Sequence, residues 1–258
     1  MFHPGCCTLT LGQLSATEVV DLCVETGLTH VEWWGRDQGH VPMGNVERAI
    51  EVRKITEASN LTISSYGSYY RVGESEKEGL SFNSVLDTAC ALETPLIRVW
   101  AGTKGSQDCS EADRAALIED SLRIADCCAK NDVAIAFEYH IGTLTDTNES
   151  TMDLMKATEH PAITFGWQSR TGVEMSYDLA GLEDVLPKLS TLHVYNWSLN
   201  ENGKYDRHPL SEGKSQWEQY LKLASKTGRD HVALIEFVKD NTVEQFKDDA
   251  KALISFLK

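Results

Sequence analysis

The sequence predicts an α/β fold, a (β/α)8 TIM barrel. Three observations point there. Short β-rich runs alternate with amphipathic helical stretches eight times, at roughly 30 to 40 residues per repeat, the length of one β/α unit. The chain has 258 residues, close to the size of one such barrel. Four successive apolar runs, Val133–Glu138, Ala162–Gln168, Thr191–His193 and Val232–Glu236, each end in a polar, metal-competent side chain: Glu138, Gln168, His193 and Glu236. A barrel with a metal at its mouth needs such residues at the C-terminal ends of its strands. An open doubly wound sheet is the rival. Against it, no Gly-x-Gly-x-x-Gly follows the first strand, and the polar residues recur at many strand ends rather than at one switch point.

The elements follow in order. The first strand is expected at Gly5–Leu11. A helix runs from Ser15 to Thr26, with Ser15 and Glu18 spaced as a capping box and Gly27 as its stop. His30–Trp34 is the second strand and Val46–Ala58 the next helix. Leu61–Tyr66 is the third strand, followed by a helix over Phe82–Leu92. Leu96–Trp100 is the fourth strand, and Ser110–Asn131 a long helix with a Ser110/Asp113 cap signature. The fifth strand ends at Glu138, with a helix over Glu149–Glu159. The sixth ends at Gln168, and a helix near Leu179–Leu186 precedes the seventh strand at His193. Gln216–Thr227 is helical, the eighth strand ends at Glu236, and Val243–Leu257 is the last helix. No linker, low-complexity tract or second domain interrupts this, so residues 1–258 read as one domain. The longest loops, Gly35–Gly44, Arg71–Ser81 and Ser198–Ser215, all follow strands, on the face where barrels build active sites.

Composition excludes several classes. The formal net charge is −15, with 39 acidic against 24 basic residues. Such a surface repels phosphate backbones and anionic lipid, so neither nucleic acid nor a membrane is an expected partner. There are seven cysteines, an odd number with no Cys-x-x-Cys spacing. They read as reduced thiols serving as small buried hydrophobes rather than a disulfide framework. The start of the chain, MFHPGCCTLTLGQL, lacks a basic stretch followed by an apolar one. No apolar run approaches the ~18 residues of a spanning helix. A cytoplasmic location is the expectation.

A carboxylate at the end of an apolar strand is costly to bury unless it is paired or binds a metal. For Glu138 and Glu236 a structural ion pair is the competing reading; Lys239 is near Glu236 in sequence. His193 competes with a core histidine, and Gln168 with an ordinary hydrogen-bonding amide, although an amide carbonyl is a legitimate oxygen ligand. His140 is two residues beyond Glu138 and so on the same side of the strand. It is an acid/base or substrate-binding candidate, or a structural histidine. The segment Tyr66–Arg71, with Tyr66 and Tyr69, mixes rings with hydroxyls, as sugars require. Trp34, Trp100, Trp167 and Trp197 lie at or near strand ends and suggest an aromatic-walled pocket. His40, Glu32 and Arg207 are further members, Arg207 as a ligand for a substrate oxygen or phosphate.

Glu138, Gln168, His193 and Glu236, together with Phe137–His140 and Gly142–Thr147, resemble the sugar phosphate isomerase/epimerase family of xylose isomerase-like barrels. That group also includes hydroxypyruvate isomerases, ketose 3-epimerases, dehydroshikimate dehydratases and endonuclease IV. The resemblance spans essentially the whole chain at the level of eight β/α units. It implies one divalent metal, manganese, magnesium, cobalt or zinc, held by Glu138, the residue at 168, His193 and Glu236. The common pattern has aspartate where this chain has Gln168. The remaining ligands carry −2, which a divalent ion neutralises; the ion is expected to bind less tightly and to polarise a substrate oxygen more strongly. The resemblance also implies that Glu138 and Glu236 act as acid and base on opposite faces of a carbohydrate, through a metal-stabilised enediolate. A sugar isomerase or epimerase is thus the first expectation. A lyase or dehydratase acting on a keto-sugar or 3-keto-glycoside is the alternative, and a carbohydrate-binding barrel without turnover is a third. Endonuclease IV chemistry is disfavoured, because the chain has few spare histidines and an acidic balance. Self-association through helices or mouth loops is the one macromolecular partnership left open.

Overall fold

The computed structural model describes residues Met1–Lys258. Eight parallel strands close into a barrel: β1 (Phe2–Cys7), β2 (His30–Trp34), β3 (Thr62–Arg71), β4 (Leu96–Trp100), β5 (Ala134–Glu138), β6 (Ile163–Trp167), β7 (Leu189–Val194) and β10 (His231–Ile235), which pairs back onto β1. The outer helices are α1 (Ala16–Thr26), α2 (Val46–Ala58), α3 (Phe82–Leu92), α4 (Glu111–Ala129), α5 (Asn148–Ala157), α6 (Met175–Val185), α7 (Lys214–Ala224) and α8 (Val243–Phe256). A short antiparallel hairpin, β8 (Trp197–Leu199) with β9 (Tyr205–Arg207), is inserted after β7. No helix is long and apolar enough to cross a membrane.

The core lies between barrel and helices. Ile97, Ile135, Phe137, Ile163, Phe165 and Leu192 come from the strands, and α8 contributes Phe246, Ala250 and Leu253, all buried. The spacing of that last trio puts one apolar stripe on one side of the helix. Each large apolar side chain so buried contributes about 1.5–3 kcal/mol. The helix starts follow their caps. Ser15 accepts from the Glu18 N–H while Glu18 accepts from the Ser15 N–H, and Ser110 and Asp113 repeat the arrangement. α1 stops at Gly27, whose φ of 76° is the left-handed conformation that glycine adopts without strain.

Several boundaries differ from expectation. The first strand is Phe2–Cys7, not Gly5–Leu11, because Thr8–Leu11 turns into a 3-10 helix. Thr8 and Thr10 are consumed there as acceptors for the N–H groups of Trp34 and Phe237, which pin the turn to the ends of β2 and β10. β3 continues past the expected end at Tyr66 to Arg71, with a register break between Gly67 and Tyr70. α6 starts four residues before Leu179, at Met175; its N-cap Glu174 makes no side-chain cap, so the sequence carries no start signal. The cysteines are all free, but only Cys6, Cys7, Cys23 and Cys128 are buried. Cys90 is exposed, and Cys109 and Cys127 are half-buried, so they are not the buried hydrophobes expected.

Candidate active site

The C-terminal ends of the strands open onto a cavity of about 670 Å³. Its lining includes Glu138, Gln168 and Glu236, with His140, Tyr69, Trp100 and Trp197 on the walls. His193, 3% exposed, sits at the floor. Its Nδ1 lies 3.3 Å from Glu138 Oε1 and 3.3 Å from Glu236 Oε2. Two strand-end carboxylates therefore converge on the nitrogen of a third strand-end residue. Gln168 joins from β6's end. Its amide nitrogen donates to the Tyr139 carbonyl, which fixes the amide orientation and leaves Oε1 buried without a partner.

A second set of charges lies below. Arg98 projects inward from β4 and is 2% exposed. Its Nε donates to Glu32 Oε1 at 2.8 Å, and its Nη1 donates to Glu138 Oε2. The Trp100 indole N–H donates to that same Glu138 oxygen. Ser65 and Cys7 donate to Glu32 at 2.8 and 3.3 Å. Gly67 is required beside this pair: a Cβ there would meet Arg98 Nη2 at 2.7 Å and Glu32 Oε1 at 2.9 Å.

These contacts set the protonation states. Burial pushes the Glu32 carboxyl up, but Arg98 and then His193 outweigh it and bring it to about 2. Glu138 is likewise raised by burial and carried well below the carboxylate range by Arg98 and His193. Burial lowers His193, and the surrounding carboxylates, Glu236 foremost, raise it well above the usual imidazole value. Without a metal the floor thus sets the Glu32 and Glu138 carboxylates against the Arg98 guanidinium and a His193 imidazole held toward its charged form.

The β3 register break has a consequence at the wall. It puts Tyr69 at a φ of 57°, and a bulge of this kind re-aims its side chain. The Tyr69 ring lies 4.9 Å from the Arg98 guanidinium and 4.2 Å from that of Arg36. His140 stacks on Trp100 with ring centroids 4.3 Å apart. Its Nδ1 lies 2.6 Å from the Ile141 carbonyl oxygen, which only accepts, so Nδ1 carries a proton and Nε2 is the open nitrogen.

Four expected substrate contacts lie elsewhere. Tyr66 is fully buried and donates to the Val41 carbonyl, because the strand's alternation turns it away from the cavity. Trp167, 1% exposed, packs between barrel and helix against Trp217 and Tyr220. His40 is clamped between Thr8 Oγ1 and the Leu14 carbonyl. Arg207 stacks on Trp197 and Phe237 and donates to Asn241, outside the cavity lining. Trp34 is also absent from that lining and faces His40. The cavity instead adds Arg36, Tyr139, Arg170 and Tyr195, which had not been singled out. Arg98 had not been either, although an arginine inside an apolar strand demands a buried partner.

The comparisons with known proteins agree with the barrel fold. A family model described as xylose isomerase-like TIM barrel matches residues 20–258. The chain belongs to this family. Among curated relatives, a 3-dehydroshikimate dehydratase from Bacillus anthracis is 24% identical over 270 residues, covering 96% of this chain and 95% of the relative. Among solved structures, the probable 3-DHS dehydratase AsbF of the same organism, involved in petrobactin synthesis, superposes with a TM-score of 0.79 at 21% identity, covering 98% of this chain and 99% of that one. A xylose isomerase-like TIM barrel protein from Mycobacterium smegmatis in complex with magnesium gives 0.76 at 17% identity, covering 99% and 96%. The named relatives favour the lyase alternative over the isomerase that the sequence put first.

The donor set of this barrel fits a divalent ion. Two carboxylates approach one imidazole nitrogen, and the Gln168 carbonyl oxygen is a buried acceptor left without a donor. Such an orphan is costly unless something binds it.

Proposed function

We propose that this protein is a metal-dependent lyase, removing a proton beside a carbonyl of a small polyhydroxylated keto compound and expelling a β-hydroxyl as water. The observation that carries this reading is the lock on Glu138. Its Oε2 accepts from both Arg98 and Trp100, an arrangement that stabilises the ionised form. An epimerase working on two faces needs each carboxylate to alternate between acid and base. A lyase needs one group to move the proton. The dehydratase relative supports the same choice.

Glu138, Gln168, His193 and Glu236 would hold the ion. When bound, a divalent metal supplies Lewis-acid polarisation of the keto oxygen. The chain's own residues do the rest. Arg98 keeps Glu138 ionised and fixed. His140, with Nε2 open, takes the proton from carbon and hands it to the departing hydroxyl, so that one water leaves. Trp100 holds the His140 ring by stacking. Tyr69, Trp100 and Trp197 offer apolar faces to the substrate's C–H surfaces, and Arg36 and Arg170 offer donors to its oxygens.

The test is incubation of metal-loaded protein with 3-dehydroshikimate, 3-keto-glycosides and ketoses in deuterated water. Loss of one water by mass supports the lyase. Deuterium incorporation without loss of water returns the isomerase or epimerase reading. Binding with neither outcome returns the carbohydrate-binding barrel.

A further inference from the structure

At the cavity floor, ligand atoms of Cys7, His193 and Glu236 all lie within 4.8 Å of one another, and all three side chains are buried. Three adjacent strands bring them together. Cys6 on β1 registers with Ile235 on β10, which places Cys7 level with Glu236, and Leu234 on β10 registers with His193 on β7. A structural cysteine sits among apolar groups. Cys7 instead donates its thiol to the Glu32 carboxylate at 3.3 Å. A second observation ties Cys7 to His193: His193, 3% exposed, makes no hydrogen bond through Nε2, which lies 3.7 Å from the same Glu32 oxygen that accepts from Cys7.

We propose that Cys7 is a metal ligand, forming with His193 and Glu236 a sulfur–nitrogen–oxygen site that selects a thiophilic divalent ion such as zinc or cobalt over magnesium. The proposal rests on the metal-dependent reading above and specifies the ion. Zinc accepts Cys, His and carboxylate ligands together, and Cys7 would add a sulfur to the oxygen and nitrogen donors named above. Magnesium takes hard oxygens in near-octahedral geometry and gains little from sulfur. On binding, the Cys7 S–H bond breaks, its proton leaves to solvent and a sulfur–metal bond forms. No electron changes hands.

The experiment titrates the full chain, stripped by chelation, with cobalt and records its absorption. One cobalt per chain with a near-ultraviolet sulfur-to-cobalt charge-transfer band is the expected result. Cys7→Ser should abolish the band and weaken cobalt and zinc binding about tenfold or more, with magnesium affinity little changed, while Cys128→Ser keeps the band. Cobalt bound with d–d absorption but no charge-transfer band overturns the Cys7 ligand and leaves the metal-dependent lyase standing. Failure to bind either cobalt or magnesium overturns both. Should Cys7→Ser not fold, X-ray absorption of the zinc-loaded wild type decides. A sulfur neighbour at about 2.3 Å supports the proposal, and a shell of nitrogen and oxygen alone overturns it.

Discussion

Arg98 is the residue on which the floor of the barrel depends. It lies between Glu32 and Glu138 with almost no exposure. Removing it strands two buried carboxylates, which costs more than the ion pairs themselves contribute. Arg98→Met is therefore expected to lower unfolding stability by about 3–5 kcal/mol, read from the urea midpoint. Adding Glu32→Gln should recover part of the loss, because one stranded charge is then gone; a double variant no more stable than the single one would sink this account. His140 is the opposite case. It is half-buried at the wall and makes no ion pair, so His140→Ala should leave stability within about 0.5 kcal/mol. Its turnover should fall about a hundred- to ten-thousand-fold; unchanged turnover would remove His140 from the proton path. The contrast shows what the sequence reveals at this scale. Glu138, His193 and Glu236 are legible because each ends an apolar strand, where a polar residue is conspicuous. Arg98 is not, because its partners lie 66 and 40 residues away, and only barrel closure makes them neighbours. Tyr66 and Tyr69 are indistinguishable in sequence; strand alternation puts Tyr66 in the core, and the bulge between Gly67 and Tyr70 carries Tyr69 to the cavity.

Among the elements, α4 tests how far local chemistry sets structure. Its Ser110–Asp113 box satisfies N–H groups that the first turn leaves open. Ser110→Ala is expected to cost about 1 kcal/mol in chemical denaturation, without moving the cavity. That cap, the Ser15–Glu18 box and the Gly27 stop were readable because their partners are three or four residues apart. The end of β1 was not. Thr8-Leu-Thr-Leu11 alternates as a strand does, yet its threonine hydroxyls are claimed by Trp34 and Phe237 from distant strands, and the chain turns. The loop after β7 conceals an element for a similar reason. Its β8–β9 hairpin pairs Trp197 with Arg207, and aromatic stacking of Trp197 on Tyr195 and Tyr205 holds it over the cavity. The short polar turn at Glu201–Gly203 gave no alternating apolar pattern to read.

At the scale of the molecule, protons and metal compete for one floor. Glu32 titrates near 2 in the folded chain, below its unfolded value. Its stabilisation is therefore complete above the ordinary carboxylate range and lost as pH falls through about 2. Glu138, also lowered, acts in the same direction. His193 has the opposite sign. Its folded value is raised, so its contribution to the metal-free protein is present below the ordinary imidazole value and is lost as pH rises through the raised one. A bound ion reverses that dependence, because the imidazole nitrogen that ligates must first give up its proton. Metal affinity should then climb with pH over the range where the metal-free floor grows weaker. Free ion at a hundredfold excess over Kd adds about 2.7 kcal/mol, so thermal melts with a fixed concentration of zinc should show a Tm gain that widens from pH 5 to pH 8. The metal-free protein should show no parallel rise. A gain independent of pH would mean that the ion binds away from His193, and a gain that shrinks toward pH 8 would mean that the proton is not its competitor.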